Sequence, residues 1–199
     1  MDMNLFFNFQ SQLLSSTFRA PPVNLRAGEE QSYLLITGDY KNIDFPVIFK
    51  QTYGKKMRDL LDTEYPNLYL ISDRLQSVLE ENGLTGWKIF PTKLFDKKGN
   101  EIFGYHGLSI VGRSGPTSYD NCEIFEKRYV PNGPVCKLYK GVYIDEWDGS
   151  DFFIPDGTIS IFITKKAADV LKKNKITNLW LTNLTDEETD VSDVLRKNS

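Results

Sequence analysis

Two stretches of this chain, LISDRLQSVLEENGLTGWKI from Leu70 and FITKKAADVLKKNKITNLWL from Phe162, align without a gap at a constant offset of 162 − 70 = 92. Ile71 and Ile163, Ser72 and Thr164, Val78 and Val170, Leu79 and Leu171, Asn82 and Asn174, Thr85 and Thr177, and Ile89 and Leu181 are identical or chemically alike. Each copy reads as strand, helix, strand. An apolar run ends at Ser72 or Thr164, whose hydroxyl can accept a hydrogen bond from the backbone at a helix N-terminus. Leu75, Val78 and Leu79 then recur at helical spacing, as do Ala167, Val170 and Leu171, so each helix is expected to bury one face. Asn82-Gly83 and Asn174 tolerate the left-handed backbone that stops a helix, and apolar runs resume at 87–90 and 179–181. Two copies are too few for a solenoid, which needs about three stacked units. The expectation is two related lobes or one pseudo-symmetric core.

Around the copies the sequence is rich in strand signals. Residues 93–95 and 102–111 read as strands joined by the polar turn 96–100, and further strands are expected at 122–130, 136–144 and 158–163. Residues 32–37 read as a strand, and 55–65 as a short helix with Met57, Leu60 and Leu61 inward. The tail starts with a capping residue at Thr185 followed by acidic residues, which fits either a terminal helix or a frayed end. No long Pro/Gly/Ser linker forces a boundary, although 112–116 is a candidate break. The reading is a single α+β domain over 1–199 with mostly antiparallel strands and a few helices. The repeated strand-helix-strand unit lies within 69–111 and 158–184, and 1–65 carries no recognised pattern.

Charge and cysteine content narrow the function classes. The 24 basic and 27 acidic residues leave a net charge of −3, too weak a field for phosphate-backbone binding, so nucleic acid is not expected. The densest basic cluster, Lys172, Lys173 and Lys175, falls near a helix end, where it complements the helix dipole. No apolar run approaches the ~20 residues of a membrane span. The first residues carry Asp2 and no basic region, unlike a signal peptide. A cytoplasmic location is expected, with no membrane association. Cys122 and Cys136 make no disulfide framework and are read as reduced, although neighbouring strands leave a pair geometrically open.

Candidate chemical groups are sparse. His106 is the only histidine and is expected to be a partly buried, hydrogen-bonded ring; no metal-ligand spacing and no cofactor motif is visible. Gly112-Arg113-Ser114-Gly115-Pro116 grazes the nucleophile elbow, but Pro116 stands where the closing glycine belongs, so Ser114 is expected on a surface loop. Glu80-Glu81 and Glu187-Glu188 read as solvated helix surfaces, and Trp87 and Ile89 as core. The run Asp145-Glu146-Trp147-Asp148-Gly149-Ser150-Asp151 lacks calcium-loop spacing. It reads as a polar turn between strands or as a contact loop, in which Trp147 anchors a basic protein partner and Asp145, Glu146, Asp148 and Asp151 ring it. No catalytic residue is expected.

The segment from Leu70 to Val111, with its strand, Ser, amphipathic helix, Gly-containing turn, apolar-Pro strand end and Tyr-led strand, resembles bacterial immunity proteins of polymorphic toxin systems. The families numbered eleven and forty-three are the ones it is similar to. The segment from Val142 to Leu181 is similar to the C-terminal portion of that type, so the resemblance spans Tyr69 to Leu181. It implies a protein that binds and neutralises a cognate toxin by blockade. It transfers no catalytic residue, because the matching positions are cores, caps and turns. The rival expectation is a small-molecule-binding domain or enzyme with a cleft between the two repeat lobes.

Overall fold

The computed structural model describes residues 5–26 and 28–191. Its first part runs β1 (Phe6–Ser11), α1 (Gly28–Thr37), β2 (Val47–Lys50), β3 (Leu60–Asp62), β4 (Tyr69–Ser72), α2 (Asp73–Glu81) and β5 (Trp87–Phe90). There follow β6 (Thr92–Phe95), β7 (Glu101–Ile102), β8 (Tyr105–Ile110), β9 (Gly112–Ser114), β10 (Thr117–Ser118), β11 (Glu123–Lys127), β12 (Cys136–Lys140) and β13 (Tyr143–Ile144). The last part is β14 (Phe152–Pro155), β15 (Phe162–Thr164), α3 (Lys165–Lys173), β16 (Leu179–Asn183), a 3-10 turn at Leu184–Asp186 and β17 (Glu188–Asp190). The class is α+β, and all strand pairs are antiparallel except β9 with β14 and β2 with β6. Among the described residues, no helix is long and apolar enough to cross a membrane.

Both matched segments form strand, helix, strand, and their pairings match too. In the sheet ordered β3-β4-β8-β5, the strands β4 and β5 flank β8; in the sheet ordered β16-β1-β15-β14-β9, the strands β15 and β16 flank β1. Ile71 faces His106 and Trp87 faces Ile110. Ile163 faces Phe7 and Leu179 faces Ser11. The central strands therefore correspond at one offset, 106 − 7 = 110 − 11 = 99. The chain supplies this strand after its unit in one case and before it in the other.

Helix caps form as the sequence dictates. Ser72 Oγ accepts from Leu75 N at 3.1 Å, and Thr164 Oγ1 from Ala167 N at 3.2 Å. Behind them two aspartates, again 151 − 59 = 92 apart, tie each unit to the other. Asp59 accepts from Ser72 Oγ (3.0 Å) and Arg74 (2.7 Å) of its own unit, and from Thr177 N (2.9 Å) and Oγ1 (2.8 Å) of the other. Asp151 accepts from Thr164 Oγ1 (2.9 Å) and Lys166 (3.1 Å) of its own unit, and from Thr85 N (3.0 Å) across the boundary. Such reciprocity leaves neither carboxylate short of donors, which is how a buried charge is tolerated. Side chains of α2 (Leu75, Val78, Leu79) and α3 (Ala167, Ala168, Leu171) enter one continuous core with Phe9, Phe49, Phe90 and Phe152. A smaller cluster of Phe6, Val142, Ile144, Phe153, Phe162 and Leu184 lies apart from it.

Several local expectations give way, among them the strand expected over 158–163, which forms only from Phe162, and the helix surface expected at Glu187-Glu188, which leads into β17. Residues 32–37 belong to α1, not to a strand: Ser32, Leu35 and Ile36 are the buried residues at helical spacing, and Glu29 and Glu30 favour the first turn. Residues 55–65 make no helix; Leu60, Leu61 and Asp62 form β3 and are all buried, because this strand is covered on both faces. The tail turns at Leu184–Asp186 with Asn183, not Thr185, as cap, and continues as β17 against β12; residues 192–199 lie outside the described ones. Val170 is half-buried, and Ala168 takes the interior position on α3.

Candidate functional site

The turn between β3 and β4 is held by left-handed Glu64 (φ 68°) and Asn67 (φ 59°), which project Tyr65-Pro66 as a ridge. A cavity of about 390 Å³ opens on one side of it, against Leu13, Arg19, Asp62 and Tyr69. A second, of about 410 Å³, opens on the other side, against α1 and Ile159. Both share Glu64, Tyr65 and Pro66. The second shares Tyr33 and Ile159 with a third, of about 440 Å³, beside the β14–β15 turn. Through Thr158 and Ser160 that one adjoins a pocket of about 90 Å³ walled by Asn8, Tyr119 and Glu187. Neighbouring pockets share these walls, and together they form a furrow crossed by the Tyr65-Pro66 ridge.

Its electrostatics are acidic. Glu29, Asp62, Glu64 and Glu187 line it, against the single guanidinium of Arg19. Asp62 is buried and accepts from Ser11 Oγ. Burial, opposed by hydrogen bonding to Ser11 and reinforced by the Asp62 charge, pushes the Tyr69 phenol up to about 12, so it stays a neutral donor to Asn67 Oδ1 at 3.2 Å. Burial raises Glu187 despite the hydrogen bond from Asn8 Nδ2 at 2.8 Å. Two buried acceptor-capable atoms in these walls, Asn8 Oδ1 and Ser32 Oγ, have no hydrogen-bond partner among the described residues.

The loop singled out in the sequence is built differently from an aromatic anchor ringed by charge. Trp147 is half-buried, donates from Nε1 to Ser150 O at 2.8 Å and packs on Phe6 (5.3 Å) and Phe153 (6.0 Å). Asp151 is 6% exposed and joins the two units as described. Asp148 holds the loop by accepting from Ser150 N (2.9 Å) and Arg113 N (2.7 Å). That leaves Asp145 and Glu146 exposed without an internal role of this kind.

His106 Nε2 lies 2.7 Å from Asp73 Oδ1 on a half-buried ring. Ser72 Oγ, at the end of the neighbouring strand β4, is committed to the α2 cap and to Asp59. Ser114 is 6% exposed inside β9, not on a surface loop, and bonds Gly115 O; β9 pairs with β14 where the sequence offered a break. Neither His106 nor Ser114 lines the furrow. Cys122 and Cys136 are free thiols at opposite ends of the β11–β12 ladder. Burial and the Asp120 charge raise the Cys122 thiol, which bonds Gly141 O at 3.1 Å. Among the described residues no cluster of His, Cys, Asp and Glu suits a metal ion.

No family model matches this chain, and no curated protein matches it.

Proposed function

We propose that this is a cytoplasmic immunity protein that binds a cognate bacterial toxin and neutralises it by blockade, without catalysis. The observation that carries the reading is the furrow: four tyrosines, Tyr33, Tyr65, Tyr69 and Tyr119, line it together with four carboxylates. Aromatic anchors beside acidic groups fit a basic protein surface, and a complex of ordinary size would cover roughly 800 Å² of this molecule. The resemblance from Tyr69 to Leu181 supports the same reading.

The test is co-expression with the protein encoded beside it. Growth should fail with that neighbour alone and recover with this chain, the two should copurify, and Glu29→Lys with Glu64→Lys should weaken capture roughly tenfold or more. A neighbour harmless on its own, or capture indifferent to charge reversal in the furrow, overturns the reading. A second reading, a small-ligand site, is favoured by one observation: the second cavity lies between Tyr65 of the first unit's turn and Ile159 beside the second's.

A further inference from the structure

The second cavity has the makings of a specific receptor. Its volume of about 410 Å³ falls in the usual range for ligand sites, roughly 300–1,000 Å³. Ile36, Pro66 and Ile159 supply an apolar floor, and Tyr33 and Tyr65 add aromatic walls. Glu29 and Glu64 bring two carboxylates to the same space. Glu64 has one oxygen engaged by Thr52 Oγ1. The hydroxyl of Ser32 stands in the wall; this residue is 3% exposed, yet its Oγ has no partner among the described residues. A buried hydroxyl without a partner is costly unless something else bonds it.

Backbone chemistry keeps the cavity in shape. Gly28 opens α1 in close contact with Tyr65: a Cβ there would meet the ring's hydroxyl, so a larger residue would push the Tyr65 side chain aside. No cation from within the described chain is paired with Glu29 or Glu64: the ion pairs found elsewhere use Asp39, Asp44, Asp59, Asp73, Asp151, Asp169 and Glu188.

We propose that this cavity binds one organic cation carried on an apolar stem, an alkylguanidinium or alkylammonium. The stem lies on Ile36, Pro66 and Ile159, the charge sits between Glu29 and Glu64 beside the tyrosine faces, and Ser32 Oγ accepts one N–H. Two carboxylates match a cation, aromatic faces attract it through their quadrupoles, and an anion would meet like charge. A free amine and the side chain of an arginine or lysine in a bound protein share this chemistry. The side-chain case rests on the toxin-binding reading, whereas the pocket chemistry does not.

The experiment is an amide-resolved NMR titration of the full-length protein with n-butylguanidinium, which carries one charge on an apolar stem. Saturable shifts are expected at Ser32, Tyr33, Tyr65 and Ile159. Glu29→Gln with Glu64→Gln should weaken binding about tenfold or more, and Ser32→Ala several-fold. Butanol, with the same stem and no charge, should not saturate. A capped tripeptide with central arginine forms the second arm: binding as tight as butylguanidinium assigns the site to a protein side chain, and binding of butylguanidinium alone assigns it to a small free cation. The spectrum itself shows that each variant is folded, and both glutamates are exposed. A flat titration of the wild type, butanol matching butylguanidinium, or undiminished binding by the double glutamine variant overturns the proposal. A flat titration with the toxin still neutralised sinks the pocket and leaves the function; saturable butylguanidinium binding without neutralisation sustains the pocket and sinks the function.

Discussion

Asp59 shows how one side chain ties local to global structure. Burial pushes its carboxyl up, but the hydrogen bonds from Thr177, Ser72 and Arg74 together outweigh it and hold the group below its ordinary 3.8. A depressed folded value means stability that is fully present above 3.8 and is lost as pH falls through the folded value. Asp59→Asn should therefore cost about 2 kcal/mol at neutral pH, since a charged acceptor of several donors disappears. The deficit should narrow as pH drops below that range, and urea denaturation at both pH values reads it. A deficit constant with pH would show that the charge is immaterial. Its counterpart Asp151 illustrates what single residues conceal: in the sequence it stands in an acidic run, and nothing there separates it from exposed Asp145. The separating signal was the offset of 92, which pairs Asp151 with Asp59 once the alignment is carried upstream of Leu70. Trp147 shows a related limit: its indole reads as an anchor beside carboxylates, while its edge contact with Phe6, distant in the chain, leaves no local signal.

At the level of elements, the parts with repeated patterns were legible and the unrepeated parts were not. Caps, amphipathic faces and stops all lie within a few residues of one another, so α2 and α3 could be read directly. The strand β1 could not: FFNFQS and YHGLSI fill equivalent places without sharing a pattern, because the sheet demands only alternation and a fit to its neighbours. The segment SYLLIT in α1 looks β-forming and is overridden by its packing on β8, where Ser109 Oγ donates to Leu35 O. The furrow is hidden for the same reason, since 32–37 reads as a strand and 55–65 as a helix in the sequence, where α1 and β3 with the start of its turn stand. The two equivalent helices differ in charge. α3 ends in Lys172 and Lys173, whereas the last turn of α2 has no basic residue and ends in Glu80 and Glu81. Carboxylates at a helix C-terminus oppose its dipole, so Glu81→Lys should stabilise the protein by about 0.3–1 kcal/mol at low salt, less at high salt. Thermal unfolding at two ionic strengths checks this; an unchanged or lower midpoint at low salt would contradict it.

For the whole molecule the question is whether two similar units make two lobes or one body, and the larger core cluster draws residues from both. Phe9 sits 5.9 Å from the Tyr69 ring of the first unit and 5.7 Å from the Phe152 ring of the second. Leu108 occupies the corresponding place on β8, and both side chains are almost wholly buried in the same core. With Asp59 and Asp151 each bonded across the boundary, unfolding one unit strips donors and apolar cover from the other. Phe9→Ala should cost about 3–5 kcal/mol, and Leu108→Ala about 2–5 kcal/mol. The stronger expectation concerns where the loss is felt. Hydrogen exchange should show amides of β4 and β8 losing protection together with those of β15 and β16 in either variant, through one cooperative transition. If Phe9→Ala loosened only the sheet containing β1 while the other kept its protection, the units would be separable lobes, and a furrow walled by both could not hold a fixed shape for a partner.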